Sequence, residues 1–163
     1  MEELDSSATP VSRELAALGI SHRVLRHPGP IRSLEQAAAE RGQRPEQVIR
    51  SIVFRTGAGS FVMVLTSGSA KISWPALRAY LGQSRLATAT EDELLSVTGY
   101  TRGAVAPFGL PQPMRVLVDR AVLAEEKISL GSGVQGTTII MQRADLLQAL
   151  DEPELGVFVE QPN

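Results

Sequence analysis

The chain has 163 residues, a length that suits one domain built on one core. It is 43% hydrophobic and 21% charged, a mixture that excludes a disordered chain. It has no cysteine, two histidines (His22 and His27) and only two lysines (Lys71 and Lys127) among its 16 basic residues. Those counts exclude disulfide frameworks, thiolate nucleophiles, zinc ribbons, iron–sulfur clusters and three-histidine metal sites. A net charge of −2 excludes a general polycation for nucleic acid, although a local basic patch stays open. The acidic, polar start MEELDSSATP has no apolar stretch of the signal-peptide kind, and no run approaches the roughly 20 apolar residues of a membrane span. The expectation is a cytoplasmic protein with no membrane contact.

In chain order, residues 1–10 read as a flexible lead-in. Pro10 or Ser12 then starts a helix that carries Leu15, Ala16 and Leu18 and stops at Gly19. HRVLRH (22–27) reads as a short strand broken by Pro28-Gly29-Pro30. Ser33 and Gln36 resemble a capping box for a helix that Gly42 ends. Pro45 opens one helical turn, followed by a strand over 49–56, the turn TGAGS and a second strand over 61–66, together a hairpin. Ser73-Trp74-Pro75 begins a helix ended by Gly82. SRLA is a short extended piece, and Thr90 caps the helix EDELLSVT, whose first turn is acidic as the helix dipole favours. Gly99 ends that helix, and residues 99–113 form a long loop dense in glycine and proline. MRVLVD (114–119), KISLGS and TTIIMQ (137–142) read as strands, RADLLQAL as a helix and GVFVE (156–160) as a last strand. The strands do not alternate strictly with crossover helices, so the expected class is α+β with a curved mixed sheet in a single domain over 1–163, not a doubly wound parallel sheet.

Four segments carry candidate chemistry. Gly103 to Gly109 (GAVAPFG) is a loop whose glycines let backbone N–H groups approach a ligand and stabilise an oxyanion; a proline-held connection is the plainer alternative. Leu130 to Gly136 (LGSGVQG) is either an ordinary turn or a pocket wall carrying Ser132 and Gly133. It is neither a phosphate-binding Gly-Lys-Ser/Thr loop nor a dinucleotide fingerprint. Arg50 starts an apolar strand and points either to solvent or to a site. His22 and His27 are an odd number of residues apart, so on a regular strand they face opposite ways and make a poor joint metal site.

The segments LGISHRVLRHPGPIRSLEQAAAERG (18–42), EQVIRSIVFRT (46–56), LATATEDELLSVTGYTRGAVAPFGL (86–110), RVLVDRAVL (115–123) and GSGVQGTTIIMQRADLL (131–147) keep one order across nearly the whole chain. In that order they resemble the YbaK/ProX family. These are free-standing aminoacyl-tRNA deacylases related to the editing domain inserted in bacterial prolyl-tRNA synthetases. The most specific piece is the family's G-x-x-x-P loop, present as Gly103 to Pro107.

The resemblance implies a barrel-like mixed sheet flanked by helices. It also implies trans hydrolysis of the ester joining a wrong, small amino acid to a tRNA 3′ end, for example alanine or cysteine on a proline tRNA. It implies neither cofactor nor metal, and it makes prolyl-tRNA synthetase a possible partner. Gly103 and Pro107 would hold the ester or the attacking water, with the ribose 2′-hydroxyl assisting. Ala104, Val105, Ser132 and Gly133 would contact substrate, His27 would lie near the pocket mouth, and Phe108 would anchor the loop in the core. Arg50 would orient the substrate in the catalytic site, and it is also the departure, because the family usually has lysine there. Arginine keeps the charge but stays protonated. This leaves open a deacylase with changed specificity, a weakened one, or a module that binds aminoacyl-tRNA ends or a synthetase without cutting.

Overall fold

IRSIVFRT and FVMVLTS, rich in β-branched and aromatic residues, form the antiparallel hairpin at the centre of the protein. The computed structural model describes residues 1–162. Nine strands and five helices follow in the order β1 (Glu2–Leu4), α1 (Pro10–Ala17), β2 (Arg23–Arg26), α2 (Leu34–Glu40), β3 (Ile49–Thr56), β4 (Phe61–Ser67), α3 (Trp74–Leu81), β5 (Leu86–Thr88), α4 (Glu91–Thr98), β6 (Arg115–Asp119), β7 (Lys127–Gly131), β8 (Thr137–Gln142), α5 (Arg143–Leu150) and β9 (Glu154–Gly156). Short 3-10 turns precede β3 and follow β6.

The strands form two sheets. One is antiparallel in the order β1-β2-β8-β7. The other runs β5-β3-β4-β6-β9 and is mixed: β4 pairs with β6, and β6 with β9, in parallel. A parallel bridge between Val48 and Ser129 joins the two sheets. The α+β class with a mixed sheet is therefore present, but the sheets do not close into one barrel. Two end segments also differ from expectation. Residues 2–4 are not a flexible lead-in but pair with β2, with Glu3–Arg23 and Glu2–Arg26 ion pairs across the strands. The last strand is β9 at Glu154–Gly156, while Val159 makes only a single bridge to Ile72.

The helix ends follow the local chemistry. Thr9, Ser33, Ser73 and Thr90 each accept a backbone N–H of the first turn through the side-chain oxygen, and Thr90 and Glu93 complete a reciprocal capping box. Gly82 and Gly99 close α3 and α4 in the left-handed conformation.

Alternation along β3 separates two apolar clusters. Ile49 and Val53 pack with Met63, Leu65, Ile128, Leu130 and Ile139 in the larger one. Phe54, with Ile52 beside it, packs against Val64, Leu77, Leu117 and Phe158 in the smaller. Strand β5 pairs only with Phe54–Thr56. The Ala89 N–H extends this pairing to the Val53 carbonyl, and the rest of that β3 edge, residues 49–52, lies beside β7 along the seam between the sheets. Among the described residues no helix is long and apolar enough to cross a membrane.

Candidate functional site at the seam between the sheets

The open edge of β3 borders a cavity of about 380 Å³. Its apolar walls come from Ile49, Val53, Ala89, Leu94, Val105 and Leu130. Arg102 and Gly103 are exposed at its rim. Gly131, Ser51, Thr88 and three arginines (Arg41, Arg50 and Arg102) complete the polar part of the lining, and no acidic residue contributes. Ser51 Oγ is buried without a hydrogen-bond partner among the described residues.

The loop after α4 is positioned from three sides. Tyr100 is buried and its hydroxyl donates to the Phe108 carbonyl at 2.6 Å. Burial, with the charge of Glu14 added, pushes its pKa up to about 12, so it remains a donor at any working pH. Gln135 Nε2 donates to Thr101 Oγ1 at 2.7 Å and to the Arg102 carbonyl at 2.6 Å. The Gly133 N–H donates to the Ala104 carbonyl at 2.8 Å, which ties the loop to the end of β7. Ala104 N–H is spent on the Thr101 carbonyl. The N–H groups of Gly103 and Val105, both in the lining, have no partner among the described residues.

Tyr100→Phe should cost about 1–2 kcal/mol, because the buried Phe108 carbonyl would lose its donor. A urea melt showing a lower midpoint at unchanged slope checks this.

The expected site residues divide into those on the cavity and those behind it. Gly103, Val105 and Arg50 line it. Ala104 is buried behind the loop, and Pro107 is half-buried in a separate shallow depression with Phe108 and Gly109. Ser132 is fully buried and closes its own turn, accepting from the Val134 N–H at 3.1 Å and bonding Thr137 Oγ1. Gly133 holds the loop but does not face the cavity; its neighbour Gly131 does. His27 is buried and absent from the cavity wall rather than at its mouth. Its Nδ1 bonds Glu40 Oε1 at 2.7 Å, and its Nε2 accepts from Arg41 Nε at 3.1 Å.

Arg50 departs from the simplest picture. Its Nε donates to the Gly68 carbonyl at 2.8 Å, and Nη2 donates to the Ala70 carbonyl. Burial lowers its pKa from the ordinary guanidinium value. The side chain thus spends at least two donors on the chain segment after β4, at the border of a second cavity lined by Ile52, Phe54 and Trp74. Arg41 is the residue the sequence did not single out. It follows α2 and reaches both His27 and, at 2.8 Å, Ser129 Oγ on β7. No cluster of three or more metal-binding side chains occurs among the described residues.

Comparisons with known proteins agree with this architecture. A solved structure of a candidate trans-editing enzyme for prolyl-tRNA synthetase superposes with a TM-score of 0.86 at 25% identity, covering 97% of this chain and 99% of that one. A hypothetical protein of known structure superposes with a TM-score of 0.84 at 24% identity, over 93% of this chain and 99% of that one, and so shares the fold.

Among curated sequences, proline–tRNA ligase of Streptococcus thermophilus is 28% identical over 136 residues, 83% of this chain and 21% of the ligase. That of Trichlorobacter lovleyi is 31% identical over 91 residues, 56% of this chain and 16% of the ligase. That of Thermosipho melanesiensis is 28% identical over 100 residues, 61% of this chain and 17% of the ligase. The chain therefore spans about a sixth to a fifth of the ligases it resembles. Residues 28–149, from the start of the loop before α2 to the end of α5, match the model of the aminoacyl-tRNA editing domain. With well over half of its length matched, the chain belongs to the aminoacyl-tRNA editing domain family.

Proposed function

We propose that the protein is a trans-acting aminoacyl-tRNA deacylase that hydrolyses the ester of a mischarged small amino acid at a tRNA 3′ end. The observation that carries this reading is the pair of unpartnered N–H groups of Gly103 and Val105 in the lining of the cavity. Backbone donors fixed before the reaction stabilise charge developing on a carbonyl oxygen without reorganising. An aminoacyl ester is already activated, so the lack of thiol or metal chemistry is no obstacle.

In this reading the terminal adenosine sits outside, near Arg102, and the amino-acid side chain enters the cavity. Water adds to the ester carbon while the carbonyl oxygen takes the Gly103 and Val105 N–H groups. The carbon–oxygen bond to ribose then breaks, and the leaving 3′-oxygen takes a proton. The neighbouring 2′-hydroxyl is suitably placed on the substrate to relay that proton. Pro107 and Ala104 shape the loop that holds the two donors. Apolar walls discriminate between side chains weakly, about 1–3 kcal/mol per methylene, which is why editing occupies a site of its own. A prolyl-tRNA synthetase is a possible partner for delivering the substrate, and a cytoplasmic address fits that role.

The test is deacylation of mischarged tRNAs by the purified protein, beginning with alanyl- and cysteinyl-tRNA for proline. Loss of the ester well above the buffer rate supports the proposal, and no loss for any pair overturns it.

The carbonyl contacts of Arg50 favour a second reading, a module that binds aminoacyl-tRNA ends without cutting. Arg50→Lys and Arg50→Ala separate the two. In a working deacylase whose Arg50 is a scaffold, Arg50→Lys should change the rate less than about tenfold, and Arg50→Ala should act mainly on stability. If Arg50→Lys creates activity that the parent lacks, the binding module is the right reading.

A further inference from the structure

The cavity lining has one feature that its apolar walls do not explain. Arg41 enters it with a guanidinium whose Nε is held by neutral His27 and whose Nη1 is held by Ser129 Oγ. Nη2 has no hydrogen-bond partner among the described residues, yet it is not sealed from solvent. No ion pair among the described residues includes Arg41. Its neighbour Glu40 turns both carboxylate oxygens elsewhere, Oε1 to His27 and Oε2 to Gln36 Nε2 at 2.8 Å. A guanidinium taken from water and bonded only to neutral acceptors is costly unless an anion completes it. Burial lowers the Arg41 pKa to about 10, in keeping with that cost, and the group remains charged at neutral pH.

We propose that Arg41 makes its part of the cavity a carboxylate-binding subsite, so that the side chain taken beyond the ester is a short acidic one. The inference rests on the reading that the cavity receives the amino acid of an aminoacyl ester. Planar guanidinium is suited to a planar carboxylate, and His27 and Ser129 fix its plane. A phosphate of the tRNA backbone is the less suitable anion. It belongs to an exposed polymer, and the cation available at the exposed rim is Arg102. Glu40 acts on Arg41 only through space, with His27 between them, so alanine or cysteine in the same cavity would leave Nη2 without an anionic acceptor in contact.

The test compares aspartyl and asparaginyl groups, which differ little in size and shape but differ in charge. Each is presented on the same tRNA as the ester, and as the non-hydrolysable 3′-amide of adenosine for binding. The wild type should hydrolyse the aspartyl ester, and bind the aspartyl amide, about tenfold or more better than the asparaginyl one. In Arg41→Gln that ratio should fall to about one, because aspartyl hydrolysis and aspartyl-amide binding drop to the asparaginyl level. Arg41→Lys, which keeps the charge without the fork, should fall between them and covers the case in which Arg41→Gln does not fold.

Hydrolysis of alanyl ester with no aspartyl preference overturns the subsite and leaves the deacylase reading standing. An aspartyl preference in amide binding with no hydrolysis of any ester overturns the deacylase reading and supports the subsite. Neither preference nor hydrolysis overturns both.

Discussion

Gly131→Ala should destabilise the protein by about 3 kcal/mol and reduce deacylation by at least about a hundredfold. Gly131 ends β7 where the 103–107 loop crosses it. A Cβ at this position would lie 2.9 Å from both the carbonyl carbon and the oxygen of Ala104, and closer still to the Val105 carbonyl. All three atoms are backbone, so no side chain can swing aside. The loop must lift or the strand must bend. Lifting the loop strains the Gly133 N–H to Ala104 carbonyl bond and displaces the donors of Gly103 and Val105 together. A displacement of about 1 Å is enough to cost a catalytic site two orders of magnitude. Gly29→Ala is the matched control: its Cβ would meet nothing within 4 Å, and its backbone conformation does not require glycine. It should change the urea midpoint by less than the equivalent of about 0.5 kcal/mol. Equal behaviour of the two variants in denaturation and deacylation would rule out this account of the loop.

This case also marks how far the amino-acid order alone carries. The LGSGVQG segment stands out for its glycines, but its composition points to Ser132 and Gly133. Only the crossing of a chain segment some 25 residues earlier in the sequence makes Gly131 the critical position. Helix ends were legible because a cap is a local event: Ser33 with Gln36, and Thr90 with Glu93, need no distant partner. The β3–β4 hairpin was legible for the same reason. Division into two sheets was not, because it depends on which strands lie side by side, and the parallel β4–β6 pair joins strands separated by two helices and β5. Strand β1 was missed because Glu2-Glu3-Leu4 has no strand pattern of its own; its pairing comes from arginines on β2. The loop at Gly103–Pro107 stands out through its glycines and its resemblance to the family's G-x-x-x-P motif, while Arg41 looks like any basic residue after a helix. Its contact with Ser129 spans 88 positions.

His27→Leu should cost about 3 kcal/mol or more and should flatten the dependence of stability on pH near neutrality. The His27 side chain is fully buried and lies between two charged groups. Since Nε2 accepts from Arg41, Nδ1 carries the proton and donates to Glu40. Leucine satisfies neither group. Arg41 loses the acceptor for its Nε in a buried setting, and Glu40 keeps only Gln36.

Burial is the main force that lowers the His27 pKa from 6.5, and the charge of Arg41 acts the same way, as does the chain's N-terminal ammonium to a lesser degree; Glu40 opposes them. The folded protein therefore binds fewer protons at this site than the unfolded chain does. Stability is fully present above about 6.5, falls as pH drops below it, and levels off once pH is below the folded value. Glu40 adds a second, lower window. Its hydrogen bonds to His27 and then Gln36 hold its pKa below 4.5, so its share is present above that value and lost as pH falls through the folded one.

Urea melts from pH 8 to pH 4 should show the wild type losing stability from about 6.5 downward. His27→Leu, already weaker at pH 8, should show no such fall until the carboxylates titrate. A parallel decline of wild type and variant between pH 7 and 5.5 would mean that another group carries the proton, and that His27 does not hold Arg41 through a neutral ring.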